Sequence, residues 1–229
     1  IYVTNKNNFS SLGDENINVT GVLNSAQADI VAKATSKVVT ATVSDTAADV
    51  LVANLKNANA KDELSLTVTG AATAKDLLTL DGKTSVAVNA SAVTAISGSA
   101  ADLKQLVAAK GVEVAKDVDI DVIEVAAGTT NASDLATILK STLGTVKATV
   151  TADTAAKLNA ALKDANSSDA LTLSVNGTTA AAKDLISLTG KTDTVAARIS
   201  LNVGAITGNI ADITSVFTNS TDFVVAELG

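Results

Sequence analysis

The stretch DELSLTVTG at residues 62–70 recurs as DALTLSVNG at residues 169–177, and the predicted fold follows from this repetition. Flanking stretches recur as well: ATVSDTAA at 41–48 returns as ATVTADTAA at 148–156, with one insertion. AKDLL at 74–78 returns as AKDLI at 182–186, and GKT at 82–84 returns at 190–192, an offset of 108 residues. Self-similarity at a fixed period is typical of repeat architectures. The chain therefore contains an internal duplication of roughly residues 38–145 and 146–229.

A shorter period of about 25–30 residues runs inside the long one. Each short unit ends in a run such as LTLSV at 171–175, where apolar residues alternate with hydroxylated ones. A period of two predicts a half-buried β-strand. We expect glycines to form the turns that start the next unit, at Gly70, Gly98, Gly128, Gly177 and Gly208.

Each short unit also begins with a pattern that favours an α-helix. Thr46, Ser99, Asn131 and Thr154 stand where a helix N-cap is expected, and Ala, Leu and Lys follow them. Neither a helix of two to three turns nor one short strand can bury its apolar side alone, whereas stacked units pair their strands and cover one sheet face with helices.

The repeats therefore predict an α/β fold. The predicted architecture is an elongated solenoid of about eight helix–strand repeats, with a parallel β-sheet along one face. Residues 1–229 would then form a single repeat domain. The 108-residue period also fits a second arrangement, in which each copy is a separate globular α/β domain.

The composition narrows the classes of function. Hydrophobic residues make up 47% of the chain and aromatic residues only 2%, which predicts an aliphatic core. The chain has no His and no Cys, so it lacks the usual proton-transfer residue and thiol nucleophile, and we predict that it is not an enzyme. Its net charge of −7 disfavours nucleic-acid binding. No apolar run approaches the length of about 20 residues that a membrane helix needs, so no membrane insertion is expected.

The two Gly-Lys-Thr triplets resemble the end of a phosphate-binding loop. Such a loop needs a second glycine five residues before the first one of the triplet, where Leu77 and Leu185 stand. We therefore predict that Gly82 and Gly190 form turns at helix C-termini, with Lys83 and Lys191 near the negative end of a helix dipole. No cofactor is predicted from these triplets.

Asp117, Asp119, Asp121 and Glu124 form the densest acidic stretch. On a strand, alternate carboxylates would share one face about 7 Å apart. Carboxylate oxygens are ligands that calcium prefers, so Asp117, Asp119 and Asp121 are weak calcium candidates. A solvated strand face is the competing interpretation, and the chain has no Asp-x-Asp-x-Asp-Gly loop of the kind that binds calcium.

The segments VSDTAADVL at 43–51 and VTADTAAKL at 150–158 resemble a repeat of very large secreted bacterial proteins, with shorter echoes at 100–103 and 133–135. That repeat occurs in S-layer proteins and in adhesins exported by type I secretion. The resemblance implies an extracellular location on the bacterial cell surface and calcium-dependent assembly or attachment. On this basis the chain is expected to be a structural segment cut from a longer protein.

Self-association, or contact with neighbouring domains of the parent protein, is the expected partnership. We expect residues 1–3 or 223–226 to make such contacts, because the end of a stack of strands exposes a sheet edge. The alternative function is a stalk or ligand-binding module of an adhesin, with a cell-surface glycan as partner. Tyr2 is the only tyrosine and tryptophan is absent, so the aromatic platform usual in sugar binding is missing, which favours the structural role.

Overall fold

A computed structural model of the chain describes residues 13–124 and 128–225. The chain divides into two compact units. Unit 1 comprises Ile1–Ser97 and Gln105–Val118, and unit 2 comprises Gly98–Lys104 and Asp119–Gly229. The helix α4 (Ala100–Ala108) crosses the division between them.

Unit 1 alternates strands and helices along the chain. Its strands pair in parallel, β1 with β2 and β2 with β3, then β4 with β5 and β5 with β6. The elements are β1 (Ile17–Leu23), α1 (Ser25–Ala34), β2 (Val39–Val43), α2 (Ala48–Asn54), β3 (Glu63–Ser65), β4 (Thr67–Thr73), α3 (Ala74–Asp81), β5 (Val88–Gly98) and β6 (Val112–Val114).

Unit 2 repeats this order of elements. Strand β7 pairs in parallel with β8 and β8 with β9, and β10 pairs in parallel with β11 and β11 with β12. The elements are β7 (Asp119–Val122), α5 (Ala132–Leu139), β8 (Val146–Thr149), α6 (Ala155–Ala161), β9 (Ala170–Thr172), β10 (Ser174–Ala181), α7 (Ala182–Thr189), β11 (Ile199–Thr207), α8 (Ile210–Thr218) and β12 (Phe223–Val225). The predicted α/β fold of alternating helices and parallel strands is confirmed.

The strands are half-buried, as their alternating pattern predicts. In β2, Val39, Ala41 and Val43 are buried while Thr42 is exposed. Leucines of the helices, such as Leu51 and Leu77, are fully buried as well. Burying an aliphatic side chain of this size contributes about 2 kcal/mol, so the small core residues of each layer add up to a stable interior.

Helix starts follow the N-cap prediction in part. Asn24 forms a capping box with Gln27, and the hydroxyls of Ser99 and Thr154 accept the amides of Asp102 and Lys157. The prediction is wrong for Thr46, because α2 is capped at Ala47, one residue later and without a side-chain hydrogen bond. Asn131 holds the N-cap position of α5, again without such a bond.

Three of the predicted glycine turns are wrong, because these glycines lie in strands: Gly98 is the last residue of β5, and two others lie inside strands. Gly70 lies inside β4 with φ +78°, and Gly177 lies inside β10 with φ +140°. The pairing of β4 with β5 shifts register between Gly70 and Ala71, as in a β-bulge. Because side chains are strained at positive φ, glycine is favoured at both of these strand positions.

Candidate functional site

The most deeply buried acidic residue of unit 1 is Asp62, which is 1% exposed. It lies in the loop before β3, where an Asn three residues earlier starts a tight turn. Its Oδ1 accepts the amide of Val39 at 2.9 Å, at the start of β2. Its Oδ2 accepts the amide of Asn59 at 2.9 Å and the side-chain Nδ2 of Asn59 at 3.1 Å. Asp62 therefore fastens its own loop to the preceding strand.

Thr84 makes the matching link to the following coil. It is 4% exposed, and its Oγ1 accepts the amide of Leu64 at 2.9 Å and donates to the Leu64 carbonyl at 2.8 Å. The amide of Ser85 donates to the carbonyl of Asp62 at 2.7 Å. Asp62 and Thr84 together connect the starts of three successive strand segments. We call this pair, with its counterpart in unit 2, the polar clasp.

Unit 2 contains the same arrangement, with Asp169 and Thr192 each 1% exposed. Asp169 Oδ1 accepts the amide of Val146 at 2.8 Å, and its Oδ2 accepts the amide of Asn166 at 2.9 Å. Thr192 Oγ1 accepts the amide of Leu171 at 2.9 Å and donates to its carbonyl at 2.7 Å. The duplication has thus preserved a set of hydrogen bonds as well as a pattern of apolar residues.

The polar clasp binds backbone rather than a ligand. Both hydroxyls are buried and already bonded to main-chain groups, so neither is presented to a substrate. A buried backbone amide without a partner costs about 1–3 kcal/mol. The clasp supplies partners to amides at strand starts, where the sheet ladder begins, and its function is to hold consecutive coils together.

The Gly-Lys-Thr triplets are part of the same structure. Gly82 and Gly190 are the C-cap residues of α3 and α7, which confirms the predicted turns. Lys191 Nζ donates to the carbonyl of Leu162, the C-cap residue of α6, at 2.9 Å. Lys83 Nζ likewise lies 3.4 Å from the carbonyl of Lys56, just after α2. Each lysine therefore neutralises the negative end of a neighbouring helix.

A second kind of carboxylate interaction occurs at helix starts. Asp45, in the loop after β2, accepts both the hydroxyl and the amide of Ser25 at the first position of α1. These hydrogen bonds, the one from the hydroxyl first, hold the pKa of Asp45 below its ordinary value. In unit 2 the pKa of Asp153 also lies below its ordinary value, chiefly because its carboxylate accepts the amide of Thr154. Desolvation opposes this effect, and the ammonium of Lys157 lowers the pKa further.

The acidic stretch predicted as a calcium candidate is divided by the secondary structure. Strand β7 begins at Asp119, so Asp117 lies in the turn before it rather than on the strand. Asp119 Oδ1 accepts the amide of Thr145 at 2.8 Å, and Asp121 Oδ2 lies 3.2 Å from Lys147 Nζ. Within residues 13–124 and 128–225, no group of three acidic side chains could hold a metal ion. These residues therefore do not fit a calcium site built from one cluster of carboxylates.

One cleft of unit 2 has a volume of about 460 Å³ and lies over the outward face of β7, β8 and β9. Small and hydroxylated side chains line most of it, including Ala148, Thr149 and Thr172, together with the Asp121–Lys147 ion pair. A smaller cleft of about 330 Å³ lies at the starts of α4 and α5, beside the Lys104–Asp134 ion pair of 2.6 Å. Both are open surface depressions with paired charges.

Sequence reasoning did not identify Asp62 and Asp169 as structural residues. The signal was available, since an aspartate is the first residue of both copies of the repeated stretch. The missing information was burial, because an aspartate in a polar loop is ordinarily exposed.

None of the helices in the described ranges is long and apolar enough to cross a membrane. Comparison of the chain with protein-family models, with curated protein sequences and with solved structures gave no match.

Proposed function

We propose that this chain is a structural repeat segment of a bacterial cell-surface protein of the S-layer type, located outside the cell. In this proposal the coils of both units continue one another as a solenoid and form a single repeat domain. The resemblance of residues 43–51 and 150–158 to repeats of large secreted proteins supports the cellular context. Self-assembly through coil ends would be its activity.

One observation carries the proposal: the polar residues that recur between the two halves hold strands together. Asp62 and Asp169 fasten the starts of β2 and β8, and the two Gly-Lys-Thr triplets make equivalent backbone contacts. In a duplicated enzyme or binding module, the recurring polar residues would be expected to converge on clefts. Here they maintain the regular stacking of coils, which is what a structural repeat requires.

Negative-stain electron microscopy of the purified chain tests this function, first with about 5 mM calcium and then with chelator. Ordered strings or sheets in either condition would support a self-assembling surface segment. Assemblies that form only with calcium would indicate that the ion binds at the contact between copies of the chain. Dispersed single particles in both conditions, at protein concentrations up to about 1 mM, would contradict the proposal.

A further inference from the structure

Asparagine followed two residues later by serine or threonine is the acceptor motif of N-linked glycosylation, and the chain contains seven such triplets. Six of them lie in the described residues, and the asparagine of each is exposed. Exposure alone therefore does not distinguish one triplet from another. The six begin at Asn18, Asn89, Asn131, Asn166, Asn176 and Asn219, and the seventh, at Asn8, lies outside the described residues.

The chemistry of sugar transfer provides a criterion for choosing among the six. The sugar is attached to the side-chain nitrogen Nδ2, which is a poor nucleophile because its lone pair is delocalised into the amide carbonyl. As Nδ2 loses a proton to become nucleophilic, negative charge develops on Oδ1. Hydrogen-bond donors that are already positioned on Oδ1 stabilise that charge. A suitable acceptor therefore has donors on Oδ1 and an Nδ2 that makes no other bond.

Two of the six triplets place two donors on Oδ1. Asn166 Oδ1 accepts the amide of Ser168 at 2.8 Å and the hydroxyl of the same residue at 2.5 Å. Asn89 Oδ1 accepts the amide of Ser91 at 3.1 Å and its hydroxyl at 2.7 Å. Within the described ranges, the other four asparagines do not accept such a pair of hydrogen bonds. The criterion therefore selects Asn89 and Asn166.

Secondary structure separates these two asparagines. Asn89 lies in β5, which pairs with β4 on one side and with β6 on the other, so an enzyme could reach it only by opening the sheet. Asn166 lies in the loop between α6 and β9, and its neighbours Ser167 and Ser168 are exposed as well. The triplet at Asn166 is therefore accessible in the folded chain.

The equivalent loop of unit 1 provides a contrast. Asn59 and Asn166 each stand three residues before the buried aspartate of a polar clasp. Asn59 Nδ2 donates to Asp62 Oδ2 at 3.1 Å, and Lys61 stands where the motif needs a hydroxyl. In unit 2, Asp169 Oδ2 accepts the backbone amide of Asn166, whose Nδ2 makes no hydrogen bond with the described residues. The two copies share a turn, but only the copy in unit 2 has the motif and a free Nδ2.

An acidic residue also distinguishes this triplet. Asp164 stands two residues before Asn166, and none of the other six triplets has an acidic residue at that position. The residue is exposed and makes no hydrogen bond or ion pair with the part of the chain that the structure describes. A free carboxylate beside the acceptor can pair with an arginine or lysine of an enzyme that binds the loop.

We propose that Asn166 is an N-glycosylation site of the folded chain, selected by its free Nδ2 and the two donors on Oδ1. The co-substrate is a sugar activated as a glycosyl diphosphate, carried by a nucleotide or by a membrane lipid. A bond forms between Nδ2 and the anomeric carbon, and the bond from that carbon to the phosphate oxygen breaks. The diphosphate leaves with the electron pair, and the Nδ2 proton passes to a base of the transferase. The site is independent of the structural role proposed above, because it needs only an exposed loop.

Two reactions with the purified, folded chain test the site and distinguish the two carriers. One contains a soluble bacterial N-glucosyltransferase and UDP-glucose, and the other contains a bacterial membrane oligosaccharyltransferase and its lipid-linked oligosaccharide. Peptide mapping by mass spectrometry is expected to find the sugar on Asn166 in at least one reaction, with Asn89 unmodified. A folded chain that carries no sugar on Asn166 in either reaction would overturn the proposal.

Substitutions in the two loops test why Asn166 is selected. Ser168→Ala removes the hydroxyl donor and should lower the initial rate of transfer at least tenfold, whereas Ser168→Thr should retain it. Lys61→Ser is the matched control, since it completes the motif at Asn59 while Nδ2 stays bonded to Asp62. Asn59 in this variant should be modified at least tenfold more slowly than Asn166.

Circular dichroism should show each of these variants folded. Equal rates at Asn59 and Asn166 in the Lys61→Ser chain would show that the motif alone decides, and would overturn the selection by hydrogen bonding. Asp164→Asn should slow the transfer at least threefold in the reaction that modifies Asn166, because the enzyme then loses an ionic contact.

Discussion

At the scale of single residues, the chain uses buried polar groups to position its strands. Asp62 and Thr84 bond to backbone groups about 20 residues away along the chain, at the starts of neighbouring coils. A hydrogen bond of this kind adds about 1 kcal/mol to the free energy of unfolding. Removing one of its two groups costs more, because the other group is then buried without a hydrogen-bond partner. Removing one residue of the polar clasp should therefore destabilise the fold by more than the number of its hydrogen bonds suggests.

Replacing Thr84 by Val keeps the side-chain shape and removes the hydroxyl. The amide of Leu64 then loses its acceptor in a buried position, and we expect the free energy of unfolding to fall by about 2 kcal/mol. For a chain of this size that lowers Tm by about 6 °C. Differential scanning calorimetry measures the change.

Thr84→Ser is the matched control, because it retains the hydroxyl, and it should recover most of the lost stability. Thr192→Val should have a similar effect through Leu171. The two valine substitutions together should destabilise by the sum of the single effects, since each clasp lies in its own unit. Equal Tm values for Thr84→Val and wild type would show that the clasp does not contribute to stability.

At the scale of elements, the loop after a strand stabilises the helix before it. Asp45 follows β2 and accepts two hydrogen bonds from Ser25, the first residue of α1. A carboxylate at this end also interacts favourably with the helix dipole. Helix α1 therefore depends on a residue of the next coil, which couples the formation of these neighbouring elements.

The hydrogen bonds between Ser25 and Asp45 predict that the stability of the fold depends on pH. The pKa of Asp45 is lower in the folded chain than its ordinary value near 4, so its contribution to stability is present above about pH 4. That contribution is lost as the pH falls through the lowered value, because the protonated carboxyl accepts the Ser25 hydrogen bonds poorly. Urea unfolding should show wild type more stable than Asp45→Asn at pH 7, with the difference shrinking below about pH 4.

Ser25→Ala provides the comparison for this experiment. It removes the hydroxyl donor but retains the amide, so it should reduce the pH-dependent difference only in part. Identical urea midpoints for wild type and Asp45→Asn at pH 7 would contradict the role assigned to Asp45.

At the scale of the whole molecule, unit 2 repeats the element order of unit 1, with parallel strands in both. The recurring features are structural: the polar clasp, the glycines inside β4 and β10, and the lysines at helix ends. The chain-end contacts predicted at residues 1–3 lie outside the described residues, as does residue 226. The described part of the second prediction, 223–225, is the exposed edge strand β12.

Calcium should have little effect on the stability of the isolated chain. A site with a Kd of about 0.1 mM would add roughly 2 kcal/mol at 5 mM calcium and raise Tm by about 5 °C or more. Because Asp119 and Asp121 are engaged separately, we expect Tm values in calcium and in chelator to agree within about 1 °C. A larger rise that Asp119→Asn abolishes would show that this stretch binds calcium.

The sequence by itself determined the α/β class, the duplication and the structural nature of the Gly-Lys-Thr triplets. These follow from local information, since periodicity sets helix and strand, and a missing glycine rules out a phosphate-binding loop. Only the tertiary structure revealed the burial of Asp62 and Asp169 and the positive φ of Gly70 and Gly177 inside strands. Each of these depends on which coil lies beside the residue, and that neighbour is more than 20 residues away along the chain.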